Sequence, residues 1–243
     1  MTAWALLVLF ALLTAMAHLL ARRIAARPRG MAPFQQIPRA LGRSLETGEP
    51  LHLGLGAGGL VGSEAALTWS GVRLLDRLAD EAAAGEVSPQ VTVADPLLWL
   101  YAFHRMQEAV RRQGLPPADL PERLLWMGAS PMAYAAGLLL RIGTQPATAL
   151  LLGGVFRAEA LLAGERGSRA GMSVLSAMPD PLGAAALWPL DPTLAVGEEA
   201  FAAPPPEATA GRPLTALLAH DLLRWLLVVL LLGAAVGLSL QGR

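Results

Sequence analysis

The sequence predicts an α/β chain: a Rossmann-like, open, mostly parallel sheet of about five strands, with one N-terminal and one C-terminal transmembrane helix. Three observations carry this expectation. Strand-sized apolar runs alternate with longer runs of helical period through the middle of the chain. A glycine-rich stretch, GLGAGGLVGSE at 54–64, separates the first such pair, and long apolar segments lie near both ends.

The ends come first. Of the 243 residues 54% are hydrophobic, above the roughly 45–50% of soluble domains. AWALLVLFALLTAMAHLLA, residues 3–21, is apolar apart from Thr14 and His18; at about 1.5 Å per residue it matches a ~30 Å hydrocarbon core, so 1–21 is expected to span a membrane. Its leading MTA carries no basic residue, unlike a cleaved secretory signal. A second span is expected at about 222–240, within a C-terminal segment 214–243, where Trp225 opens WLLVVLLLGAAVGLSL. Arg22, Arg23, Arg27 and Arg29 follow the first run as a lipid-facing basic collar. The positive-inside rule then puts both termini outside and the central domain in the cytosol. Gly233 and Gly237 have the GxxxG spacing that lets helices approach closely. The lipid bilayer is the expected partner, with a homo-oligomer or other membrane proteins beside it.

Residues 22–49 read as a basic juxtamembrane segment followed by a short amphipathic helix with Ile37, Leu41 and Leu45 on one face. Residues 50–201 read as the α/β domain. LHLGL leads through the glycine loop into a helix whose stripe is Trp69, Val72, Leu75, Leu78, Ala79 and Ala82. QVTVA, RLLWMGA, ATALLLGG and MSVLSAM are further strands, each followed by a helical run, the pattern of βαβ units. AAPPPEATAGRP, 202–213, reads as an extended linker.

One device recurs. VTVADP, WMGASP and SAMPDP each end an apolar run with a short polar residue and proline, at Asp95, Ser130 and Asp180. A polar acceptor at the N-cap with Pro at the first helical position turns a strand directly into a helix. In an open parallel sheet those turns stand at the carboxyl edge, where ligands bind.

Gly54, Gly56 and Gly59 satisfy GxGxxG between a strand and a helix, the context of a dinucleotide fingerprint. The glycines continue through Gly58 to Gly62, so the helix is expected to start near Ser63 after a long turn. The acidic candidate, Asp95, comes later than the fingerprint's ~20-residue spacing. Glu64 suits a helix dipole and repels a pyrophosphate at the same place. The candidate ligand-binding set is Gly54, Gly56, Gly58, Gly59, Ser63, Glu64, Asp95 and Ser130. A nucleotide or dinucleotide is the cofactor class left open, with loop N–H groups meeting an anion and Asp95 or Ser130 meeting a sugar-like hydroxyl.

Other chemistry is narrowed by absence. All basic residues are arginine, which removes Schiff bases and a Walker A lysine. No cysteine removes thiolate nucleophiles and cysteine metal sites. Gly128 and Ser130 resemble a GxSxG elbow, but Pro131 lacks the N–H an oxyanion hole needs and Met132 replaces the second glycine. The four histidines form no HExxH pair; no metal site is expected and no catalytic residue is assigned. Dispersed arginines balanced by acids argue against nucleic acid.

The succession LHLGLGAGGLVGSEAALTWSGVRLLDRLADEAA, VTVADP, SPMAYAAG and GEEAFAA resembles an uncharacterised family of bacterial membrane proteins carrying a domain of unknown function. The resemblance implies a domain flanked by transmembrane helices and no activity. The expected role is a membrane-anchored, non-catalytic ligand-binding or assembly component; a structural scaffold gathering partner proteins and a nucleotide-dependent enzyme are the alternatives.

Overall fold

The computed structural model describes residues 2–21, 32–115, 120–145, 147–202, 221–229 and 231–233. The chain divides into two units, one of Met1–Arg29 with Gly211–Arg243 and one of Gly30–Ala210. In the first unit α1 is Thr2–Ala21, and residues 221–229 and 231–233 are helical. Among the described residues no helix is long and apolar enough to cross a membrane. This corrects the two terminal spans expected at 1–21 and about 222–240. At about 1.5 Å per residue the stretch 221–229 reaches about half of a ~30 Å core. Arg22, Arg23, Arg27, Arg29 and Gly237, together with 203–213 of the expected linker, lie outside the described residues. Gly233 is described and has open space where a Cβ would stand.

The second unit runs α2 (Ala32–Thr47), β1 (Leu51–Gly56), α3 (Ala65–Ala84), β2 (Gln90–Val93), α4 (Pro96–Arg112), α5 (Leu120–Arg123), β3 (Leu124–Trp126), α6 (Pro131–Thr144), β4 (Ala149–Val155), α7 (Glu159–Arg169), β5 (Ser173–Met178), α8 (Pro181–Leu187) and β6 (Ala195–Val196), then a 3-10 turn at Gly197–Phe201. The sheet is six-stranded in the order β3-β2-β1-β4-β5-β6, and every pairing is parallel. The five expected strands are present; β6 is the addition. It is a two-residue strand that sets Ala195 beside Ala177 and Val196 beside Met178, too short to carry a period. Asp191 positions it. This buried carboxylate accepts from Ser176 N (2.8 Å) and Oγ (2.6 Å) with one oxygen and from Thr193 N (3.1 Å) and Oγ1 (2.8 Å) with the other. Asp191→Asn sets an amide NH2 against two of these donors, and urea denaturation is expected to show a loss of about 1–2 kcal/mol.

Helices cover both faces of the sheet, so β1 and β4 are buried throughout and read as near-continuous apolar runs. Leu51, Leu53, Leu55, Val91, Val93 and Leu151 pack with α2, α3 and α4. Leu150, Leu152 and Phe156 pack on the other face with Tyr134, Leu138 and Ile142 of α6 and Ala160 and Ala163 of α7. On α3 the expected stripe is buried from Val72 to Ala82, but Trp69 is 47% exposed and stands edge-on to Tyr101. The polar side of that helix is not all solvent-facing. Arg105 of α4 donates Nε to Asp76 (3.0 Å) and Nη2 to the Asp76 carbonyl (3.1 Å), and Tyr101 Oη adds a bond to Asp76 (3.0 Å). Burial in this α3–α4 seam raises the Asp76 carboxyl above its ordinary range against the pull of Tyr101 and Arg105.

α3 lies directly on β4. A Cβ on Gly71 would stand 2.7 Å from the Gly153 carbonyl oxygen, so the missing side chain sets the helix–sheet distance here. Ala57 N, the first amide of the glycine loop, donates to the Val155 carbonyl of β4 (2.9 Å).

Candidate functional site

The strand order reverses direction at β1 and β4: β1 is followed outward by β2 and β3 on one side, while β4 leads to β5 and β6 on the other. The connections leave to opposite faces there, the kind of switch point beyond whose carboxyl strand ends open α/β sheets bind ligands. Residues 57–64, between the end of β1 and the start of α3, stand at that crest.

The glycines of β1 answer first to packing. A Cβ on Gly54 would stand 2.9 Å from Tyr134 Oη and 3.1 Å from Leu152 Cδ2. Gly56 has φ +75° and Gly154 of β4 has φ +104°, both in the left-handed region open to glycine. A Cβ on Gly56 would fall on the Val155 carbonyl oxygen, and one on Gly154 would lie 2.6 Å from the Leu55 carbonyl oxygen. The two central strands therefore seat on each other through reciprocal bare backbone, where their register also shifts between Gly54 and Gly56. Gly58 is buried against Thr68 and Val155.

Beneath the loop runs a buried polar chain. His52 Nε2 pairs with Thr92 Oγ1 (3.1 Å), Thr92 Oγ1 with Tyr134 Oη (3.1 Å), and Gly56 N donates to Tyr134 Oη (3.3 Å). His52 and Tyr134 are fully buried. Burial pushes the Tyr134 hydroxyl up to about 12; burial first and Arg141 second pull His52 down to about 3, so its imidazole is neutral. Its Nδ1 has no partner. Tyr134 is thus a positioning residue, tying α6 to the end of β1.

The caps behave as their sequences predict. Asp95 accepts from Leu98 N (2.8 Å), Ser130 from Ala133 N (3.2 Å) and Asp180 from Leu182 N (3.2 Å), each with proline opening the helix. Asp95 also meets the loop: its Oδ2 lies 3.1 Å from where a Gly59 Cβ would stand. Asp95 follows β2 directly; its long spacing in sequence comes from the loop and the twenty-residue α3. Ser130 stands beyond β3, two strands from β1, a separation of about 10 Å at ~4.8 Å per strand, and serves as a cap. Ser63 is exposed in the loop.

α3 starts at Ala65, with Glu64 at the N-cap and no side-chain cap bond, which moves the expected start at Ser63. Glu64 forms an ion pair with Arg157, which follows β4. The pair links the loop on the β1 side to the turn on the β4 side. Local pattern in the sequence does not single out Arg157, Tyr134 or Thr92. The signal for the first was the second glycine pair, LLLGGVFR, closing another apolar run; for Tyr134 it was a lone polar handle in an apolar helix. Elsewhere, Glu108 pairs with Arg112, one turn away on the same helix. Among the described residues no group of His, Asp and Glu is arranged to hold a metal ion.

A surface cleft of about 250 Å³ lies at the opposite edge, lined by Glu49, Pro50, Glu86, Ser88 and Arg123. Pro50, Ser88 and Arg123 lead into β1, β2 and β3, the amino ends of the strands. Arg123 Nη1 donates to the Ser88 carbonyl there (3.0 Å), a bond that holds two strand entries together.

Strand order, reversal point and capped crest define a doubly wound α/β domain of the type whose ligands sit above the first strand. Residues 1–241 match the family described as Domain of unknown function (DUF6754), and the chain belongs to that family. No curated protein matches the chain, and no solved structure matches it.

Proposed function

We propose that the domain is a non-catalytic binding module that takes a small hydroxyl-bearing ligand of the nucleoside or nucleotide class at the crest between β1 and β4. The observation that carries this reading is the close approach of Asp95, just after β2, to Gly59 of the loop, whose added Cβ would stand 3.1 Å from Asp95 Oδ2. In doubly wound sheets an acidic side chain after the second strand accepts from ribose hydroxyls. One Asp95 oxygen caps α4 and the other faces the loop. Binding is favoured over turnover because the groups with protons to move are engaged. His52 is sealed in the core, Glu64 is ion-paired and Asp95 holds a helix start.

The test is a thermal-shift and calorimetry panel of nucleosides, nucleotides and dinucleotides on the full chain, repeated with Asp95→Asn. Asparagine caps a helix about as well as aspartate, so stability is expected to stay within about 0.5 kcal/mol while affinity falls about tenfold with loss of the charged acceptor. No shift with any member of the panel refutes the reading.

A scaffold role is the second reading, favoured by one feature. Val61, Leu97, Met132 and Leu182 are large, apolar and more than half exposed, and each follows the carboxyl end of a strand, three of them directly after the helix-opening proline. Cross-linking the full chain in its native surroundings distinguishes a defined protein complex from a free ligand-binding module.

A further inference from the structure

We infer that the crest takes the unphosphorylated member of its ligand class, with Glu64 as the residue that sets this preference; the inference rests on the crest being the binding site. Phosphate recognition above a first strand needs free backbone N–H groups at the loop and helix start, and no carboxylate competing for them. Four amides around the loop are engaged within the fold, while those of Gly58 to Glu64 make no hydrogen bond among the described residues. Gly56 N donates to Tyr134 Oη (3.3 Å) and Ala57 N to the Val155 carbonyl (2.9 Å). At the helix start Ala65 N donates to the Gly62 carbonyl (3.3 Å) and Leu67 N to the Glu64 carbonyl (3.0 Å).

Charge carries the preference. The chain has no lysine. Arg157 reaches the loop already paired with Glu64, and the Asp95 carboxylate, capping α4 with one oxygen, faces Gly59 with the other. A phosphate placed at the start of α3 meets Glu64 where a phosphate-binding helix presents bare amides and a cation. An uncharged sugar hydroxyl meets no such conflict and finds an acceptor in Asp95. Glu64 makes no side-chain bond to the helix amides; it holds Arg157 as its counter-ion and so keeps that cation from an anionic ligand group.

The experiment compares adenosine with adenosine 5′-monophosphate by calorimetry on the full chain and on the Glu64→Gln and Arg157→Gln variants. Wild type is expected to bind the nucleoside about fivefold more tightly than the monophosphate, the scale of one like charge near 4 Å in water. Glu64→Gln frees Arg157 and is expected to erase or reverse that ratio; Arg157→Gln is expected to widen it. The Glu64 effect should shrink between 0.05 and 0.5 M salt, by roughly the fall of the Debye length, a response that a purely structural role would not show. A wild-type ratio favouring the monophosphate, or a ratio unmoved by Glu64→Gln, overturns this inference while leaving the crest as the site. Failure of both ligands to bind all three proteins removes the site and the inference with it.

Discussion

Gly56→Ala is expected to lower stability by about 3 kcal/mol or more, combining the left-handed backbone penalty with an enforced collision. The residue has φ +75°, and its added Cβ would fall on the Val155 carbonyl oxygen of the neighbouring strand. That oxygen is not free to retreat, because it accepts from Ala57 N at 2.9 Å. Gly62→Ala is the control. It has φ +102° with nothing within 4 Å of an added Cβ, so only the backbone penalty applies, about 1 kcal/mol. Urea denaturation of both variants reads the difference directly. Equal midpoints would show that the β1–β4 seat yields, and the tight central packing would have to be abandoned.

The second large effect is acid lability from His52. Its folded-state pKa, about 3, lies below the ordinary 6.5 because burial opposes its charging and Arg141 adds repulsion. Between these values the unfolded chain binds a proton that the folded chain refuses. Stability from this group is therefore whole above about pH 6.5 and falls as pH drops toward 3, at about 1.4 kcal/mol per pH unit, or about 2 kcal/mol by pH 5. His52→Gln removes the titration and retains a polar group for Thr92. The wild-type minus variant stability, followed from pH 7 to 4.5, should carry that slope. A flat difference means that His52 takes its proton in place.

Much of the fold was legible because the central strands are buried on both faces and so read as apolar runs, and because Asp95, Ser130 and Asp180 announce their helices through a following proline. Strand order was not legible: local periodicity says nothing about which neighbour a parallel strand takes. β6 escaped because two residues carry no period and its anchor, Asp191, is a tertiary contact. The terminal spans were inferred from length and apolarity, and the described helices do not meet that requirement. At the crest the glycines were found but their reason was misplaced. Gly54 faces Tyr134 and Gly56 faces Val155, contacts across 80 and 99 residues of chain, which a motif of local spacing cannot contain. The charge of Glu64 at the helix start is legible in the sequence, whereas its partner Arg157, 93 residues away, is not.

The reciprocal glycine seat of β1 and β4 also bears on how the domain is made. Its two central strands are separated by α3, β2, α4, α5, β3 and α6, so the middle of the sheet closes only after that whole excursion has been synthesised. Until β4 emerges, β1 offers a bare edge with Leu51, Leu53 and Leu55 lacking part of their cover. Non-local pairing of this kind slows folding and exposes sticky intermediates. A nascent chain halted before residue 149 should therefore remain open to protease and chaperone, and protection should arrive in one step as β4 docks against the waiting glycines.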